Sequence, residues 1–216
     1  MAFEEYDDYE QSELVQKWLR ENGMSIVVGV VIGLVGIFGW QQWRNHQARN
    51  ESVASQLYEQ AKVAQLTGKP DLAKQLTAQL QKDDAKSPYA LFAVSDLARQ
   101  QVQDKQLDKA AASLQWAESH AAEPPLKALT LVRIARLDLV RNQPKAALVT
   151  LDRMPAGSFQ SIAQELRGDA LVKVGRLDDA RKAYQAAISA LSEDAPQRGA
   201  LQMKLDDLAV AGKQGA

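Results

Sequence analysis

Polar and apolar residues alternate through most of this chain, but from Asn22 to Trp43 the alternation stops. NGMSIVVGVVIGLVGIFGWQQW runs 22 residues without a charge, in a sequence where a quarter of all residues are charged. As a helix this stretch measures about 33 Å at ~1.5 Å per residue, enough to cross a hydrocarbon core of ~30 Å. Trp18 precedes it, and Trp40 and Trp43 close it. Their rings combine an apolar body with one N–H, which suits the bilayer interface. A buried core helix is usually shorter and tolerates charge at its flanks. A cleaved signal peptide needs a basic start and a small-residue cleavage site. Here the start is acidic and Gly-Trp-Gln-Gln-Trp follows the apolar run. The pattern therefore predicts one uncleaved transmembrane anchor at residues 22–43, held in the lipid bilayer.

Residues 1–21 ahead of the anchor read as an acidic tail, irregular over 1–13 and followed by an amphipathic lead-in. In the lead-in, Leu14, Val15, Trp18 and Leu19 fall at helical spacing, as in a helix lying at a membrane surface. Inside the anchor, Gly29, Gly33 and Gly36 share one helical face. Small residues on one face allow another membrane helix to approach closely, although glycine is also simply frequent in membrane helices.

After the anchor the period becomes helical and the composition turns rich in Ala, Leu, Gln and Lys. Small residues recur in pairs twelve apart: Ala61 and Ala73, Ala98 and Ala110, Ala135 and Ala147, Gly168 and Ala180. Turn signals lie between the members of each pair, at Gly68-Lys69-Pro70-Asp71, Asp104 to Asp108, Asn142-Gln143-Pro144 and Gly175-Arg176-Leu177-Asp178. Successive pairs stand 37, 37 and 33 residues apart. Two antiparallel helices pack with axes ~8–10 Å apart when the residues at their crossing are small. The pattern thus predicts four helical hairpins. Proline in the first turn supports helix starts at Pro88 and Pro124, and Ser158 is the expected cap of the next helix. A helix over about 195–210, with Leu201, Leu205 and Leu208 on one side, would close the stack.

Charge and candidate chemistry narrow the function. Residues 1–21 carry a net −5 and the remainder +4, too dispersed a surplus for a nucleic-acid partner. The chain has no cysteine and two histidines, His46 and His120, far apart. That excludes disulfides and thiolate chemistry. Phosphate-loop, nucleophile-elbow and zinc-protease motifs are absent. The adjacent acids Asp83-Asp84, Asp178-Asp179 and Asp206-Asp207 diverge by about 100° on a helix and make poor acid/base pairs. The expectation is a protein that is not an enzyme and needs no cofactor or metal.

The hairpin period is close to the ~34 residues of tetratricopeptide repeats. The fourth unit resembles that pattern at Gly168, Leu171, Gly175, Ala180, Tyr184 and Ala187; the others conform less well, with Gln101 where an aromatic is usual and Thr77 and Met154 in place of apolar or small residues. The fold class expected is all-α: one transmembrane helix, then a tetratricopeptide-like α-solenoid of about four hairpins over residues 44–216, with a C-terminal capping helix. Taken with Trp18-Leu19-Arg20-Glu21-Asn22-Gly23 and Gly39-Trp40-Gln41-Gln42-Trp43 around the anchor, the chain resembles the ancillary SecYEG translocon subunits, the YfgM family of bacterial inner-membrane proteins.

The resemblance implies an N-terminus in the cytoplasm, a repeat domain in the periplasm, and as partners the SecYEG translocon and a membrane-anchored periplasmic chaperone of prolyl-isomerase type. Bases flanking the anchor tie at two each, Lys17 and Arg20 against Arg44 and Arg49, so charge alone assigns no orientation. The alternative function is a membrane-anchored adaptor that sequesters a stress or signalling regulator. In tetratricopeptide domains the residue after the first small position faces the concave groove. The resemblance therefore places Lys62, Arg99, Arg136 and Asp169 there, with Tyr58 and Phe92 adding apolar contact. These are the expected partner-binding residues, and the competing reading is a solvated charged face.

Overall fold

The computed structural model describes the backbone of residues 5–214, and the side chains of residue 13 and of residues 15–208. All the described elements are α-helices. They run α1 Glu5–Leu66, α2 Pro70–Asp83, α3 Pro88–Gln103, α4 Leu107–His120, α5 Pro124–Val140, α6 Pro144–Asp152, α7 Gln160–Lys173, α8 Leu177–Ser189 and α9 Gln197–Gln214. The residues up to Ser52 form one compact unit and those from Val53 onward a second.

The first unit is helical throughout its described length and contains the one stretch, among the described residues, long and apolar enough to span a membrane. Its large apolar side chains, from Ile26 to Phe38, are exposed, a surface whose natural solvent is lipid. Trp40 and Trp43 lie with ring centroids 5.4 Å apart at its far edge. The irregular tail expected over residues 1–13 is not what forms: from Glu5 onward the chain is helical, and residues 1–4 lie outside the described part. Extending an existing helix adds a hydrogen bond for each residue ordered, and acidic side chains are favourable at a helix N-terminus.

In the second unit, α3–α4, α5–α6 and α7–α8 form hairpins, and the end of α1 makes a fourth with α2, Ala54 sharing a core cluster with Leu80. The same turn closes each one. The first helix ends on a residue in the left-handed region, Gly68 (φ 70°), Lys105 (59°), Asn142 (59°) or Gly175 (78°). The N–H of the next residue then bonds back five positions: Lys69 to Ala64, Gln106 to Gln101, Gln143 to Asp138 and Arg176 to Leu171, at 2.7–2.9 Å. This is a Schellman-type stop, which satisfies carbonyls that the helix end would otherwise leave unpaired. The second helix starts immediately, at Pro70, Leu107, Pro144 or Leu177. Proline costs nothing there because the first N–H of a helix has no intrahelical partner.

The predicted crossing residues are all buried: Ala61 and Ala73, Ala98 and Ala110, Ala135 and Ala147, Gly168 and Ala180. The core is accordingly a series of small apolar layers. Ala54, Leu57 and Tyr58 pack on Leu80, Ala90 and Ala93. Ala98, Ala110, Leu114 and Leu137 form the next layer. Val132, Ala135, Ala147 and Leu166 form another. Leu201 and Leu208 of α9 cover Ala180, Tyr184 and Ala187. α9 thus supplies the apolar face that a fifth hairpin would otherwise have to provide.

Two departures from the repeat pattern have a physical explanation. Gln101 accepts a hydrogen bond from Ser113 Oγ at 2.9 Å across its hairpin. At the same pair of positions in the next hairpin, Thr150 Oγ1 donates to the buried carboxylate of Asp138 at 3.2 Å. A polar pair therefore replaces the usual apolar contact in both, and both partners are satisfied. Thr77 is buried and bonds back to Ala73 O at 2.8 Å, which disposes of its hydroxyl. Met154 lies beyond the end of α6, which at 9 residues is shorter than its counterparts. Ser158 does not cap α7. The cap position belongs to Phe159, at φ 57°, and has no side-chain hydrogen bond, whereas Ser87 does cap α3, accepting from Tyr89 N at 3.2 Å.

Candidate partner-binding groove

The first helices of successive hairpins are neighbours, α3 on α5 and α5 on α7. They set the expected groove residues on a run of adjacent helices. Tyr58 and Phe92 do meet, with ring centroids 6.1 Å apart, and Tyr89 joins them at the same distance from Tyr58. Tyr58 Oη donates to Asp96 Oδ2 at 3.1 Å, which ties α1 to α3. Burial raises the Tyr58 pKa, and the Asp96 carboxylate raises it further.

Arg99 and Arg136 line one cleft between α3 and α5, of ≈ 300 Å³. Its floor is apolar, built from Ala98, Val102, Leu114 and Leu137. Arg133, which the repeat spacing had not singled out, lines the same cleft. Arg99 reaches Asp96 Oδ1 at 3.4 Å, so Asp96 serves both Tyr58 and Arg99. Among the described residues, neither Arg133 nor Arg136 has a carboxylate oxygen within 4.0 Å. Burial lowers the Arg133 pKa from its ordinary value; Asp96 and Tyr58 oppose this, while Arg136 and Arg99 add to it as like charges. Arg133 was legible in principle. It lies one helical turn before Arg136, as Asp96 lies one turn before Arg99, and residues three apart share a helix face.

The other expected residues are placed differently. Lys62 is exposed on α1 and sits 4.0 Å from Glu59. Asp169 occupies the corresponding place on α7, but its carboxylate is already engaged. It accepts from Tyr184 Oη at 2.7 Å and from Lys204 Nζ at 2.8 and 2.9 Å. Lys204 also donates to Glu165 at 2.8 Å and stands over the Tyr184 ring. Burial pulls the Lys204 pKa down, but its bonds to Asp169 and Glu165 outweigh that and leave it raised. Burial, reinforced by Asp169, raises the Tyr184 pKa strongly. This cluster fastens α9 to α7. Gly29, Gly33 and Gly36 present open space: a Cβ built on any of them meets no atom of the chain within 4 Å. Among the described residues no cluster of His, Cys, Asp and Glu is arranged to hold a metal ion.

The sequence matches the family model of a tetratricopeptide repeat-like domain over residues 16–210. It is similar to the "Ancillary SecYEG translocon subunit" of Escherichia coli (strain K12), 34% identical over 212 residues, covering 94% of this chain and 98% of the relative. It is similar also to the proteins of that description from Haemophilus influenzae, 27% identical with 96% and 100% covered, and Aggregatibacter actinomycetemcomitans, 29% identical with 94% and 99% covered.

Proposed function

The chain belongs to the ancillary SecYEG translocon subunit family of tetratricopeptide repeat-like proteins, and from that premise we propose that it is a non-enzymatic, single-pass subunit of the bacterial inner membrane. It keeps its N-terminus in the cytoplasm and holds its repeat domain in the periplasm beside the translocon exit. There it recruits a membrane-anchored chaperone of prolyl-isomerase type to emerging chains. The observation that carries this reading is the coverage of the match: relatives so described align along nearly the whole chain, through the anchor as well as the repeats. The domain boundaries follow the same reading, with the anchor at 22–43 between an acidic tail and the repeat domain. Gly29, Gly33 and Gly36 are the proposed contact with a neighbouring membrane helix. The groove from Tyr58 and Phe92 to Arg136 is the proposed docking surface.

Crosslinking in native membranes tests the function. Recovery of translocon channel subunits together with a periplasmic chaperone is the expected result, and recovery of soluble cytoplasmic regulators alone would overturn it. Protease added to spheroplasts should degrade the repeat domain; full protection would reverse the orientation.

A further inference from the structure

We infer that the cleft between α3 and α5 receives an acidic segment of a partner protein anchored by one large apolar side chain, the apolar group lying on the floor and its flanking carboxylates on the arginine rim. This rests on the docking reading above and adds the chemistry of what docks.

Three arginines, Arg99, Arg133 and Arg136, line a cleft whose lining contains one carboxylate, Asp96. That carboxylate is already shared between Tyr58 and Arg99. Arg133 is half-buried and feels Arg99 and Arg136 as like charges. Guanidinium does not shed its proton in proteins, so this crowding is relieved by an incoming anion rather than by deprotonation. Carboxylates fit best, because a planar guanidinium can bind one through two parallel hydrogen bonds. The floor of Ala98, Val102, Leu114 and Leu137 asks for something else. A bare phosphate would satisfy the rim and leave the floor wet, while an apolar side chain there gains burial. Val140 stands at the edge of the cleft with 59% of its surface exposed, extending the apolar strip outward. In the chain itself, the acidic stretch before Trp18 and the cleft residues are divided in sequence by the apolar stretch long enough to span a membrane. The proposed occupant is a segment of another protein.

The test uses the full-length protein in detergent micelles and three labelled synthetic peptides, read by fluorescence anisotropy. The first is acidic with a central Leu or Phe; the second has the same acids with Gly at the centre; the third keeps the apolar centre with Lys in place of the acids. The first should bind best, and added salt should weaken it, since exposed charges are screened over ~10 Å at 0.1 M. Arg133→Gln should weaken it roughly tenfold or more, as loss of a charge-assisted hydrogen bond does. Arg136 is exposed, so Arg136→Gln provides the same test if Arg133→Gln fails to fold by circular dichroism. Arg99→Glu with Arg136→Glu should abolish binding, whereas Lys74→Glu with Lys109→Glu, on second helices, should leave it intact. No binding of the first peptide, equal binding of all three, or equal loss in the two double variants would overturn the inference. If peptide binding fails while crosslinks to the translocon persist, the inference falls and the functional reading stands. The reverse result removes the functional reading and leaves the cleft chemistry in place.

Discussion

Gly168→Ala adds a single methyl group to the crossing of α7 and α8, and the structure gives it nowhere to go. A Cβ built on Gly168 lies 2.5 Å from Cδ1 and 2.9 Å from Cζ of Tyr184, and closer still to Cε1. The ring is not free to step aside. Tyr184 is 3% exposed, its hydroxyl is fixed on Asp169 at 2.7 Å, and Lys204 stands over its face. Either α8 moves away from α7 or the ring leaves Asp169. Overpacking of this kind costs about 1–3 kcal/mol, and giving up a hydrogen bond to a charged group adds about 1.5–3 kcal/mol if the ring is the part that moves. Alanine returns about 1 kcal/mol through better helix propensity. A net loss near 2 kcal/mol is expected, which at about 2–4 °C per kcal/mol lowers Tm by roughly 4–8 °C in a domain of this size. Thermal unfolding of the full chain in mild detergent, followed by circular dichroism, measures it. Two controls make the result specific. Gly199→Ala, in α9 where a Cβ meets nothing, should be neutral or stabilising by up to ~1 kcal/mol. In a Tyr184→Leu background, Gly168→Ala should lose most of its cost. An unchanged Tm, or the same loss with and without the Tyr184 ring, would refute the close-crossing argument.

Three further perturbations follow from the geometry. The left-handed turn residues should respond in opposite directions: Lys105→Gly removes side-chain strain at φ 59° and should stabilise by up to ~1 kcal/mol, and Gly175→Ala at φ 78° should destabilise by about 1–2 kcal/mol, both read as shifts in Tm. Asp138 has its pKa raised by burial, against the opposing effects of Thr150, Arg141 and Arg153. Its folded form therefore holds its proton more tightly than the unfolded chain does, so this residue's contribution to stability declines as pH rises from the ordinary carboxylate range through the raised value. Comparing Tm against pH for the parent and Asp138→Asn should show a flatter profile for the variant, and parallel profiles would remove Asp138 as the cause. Gly29→Leu with Gly33→Leu, at open positions on the anchor, should reduce co-purification of membrane partners in detergent without changing helicity; undiminished recovery would leave the glycine face without a role.

The sequence by itself determined the elements of this protein. A membrane anchor is legible because a charge-free span has to match a bilayer, a one-dimensional condition that needs no knowledge of neighbours. The hairpins are legible for a similar reason: their turns and small crossing residues recur at a fixed interval, and Gly68, Lys105, Asn142 and Gly175 then adopt the same backbone state. Arg99 and Arg136 could be set on one face because repeats translate a position from one helix to the next. Only the tertiary structure decided what each of those side chains faces. Asp169 holds the expected repeat position, yet its charge is taken up by Lys204, 35 residues later on a helix outside the repeat pattern. Arg133 enters the cleft because α3 and α5 come together there. Gln101 fits its aromatic position because Ser113 lies across the hairpin. Local periodicity specifies which face of a helix a residue occupies, but charge pairing and polar satisfaction depend on atoms brought within about 3 Å by packing, and spacing along the chain does not encode those distances.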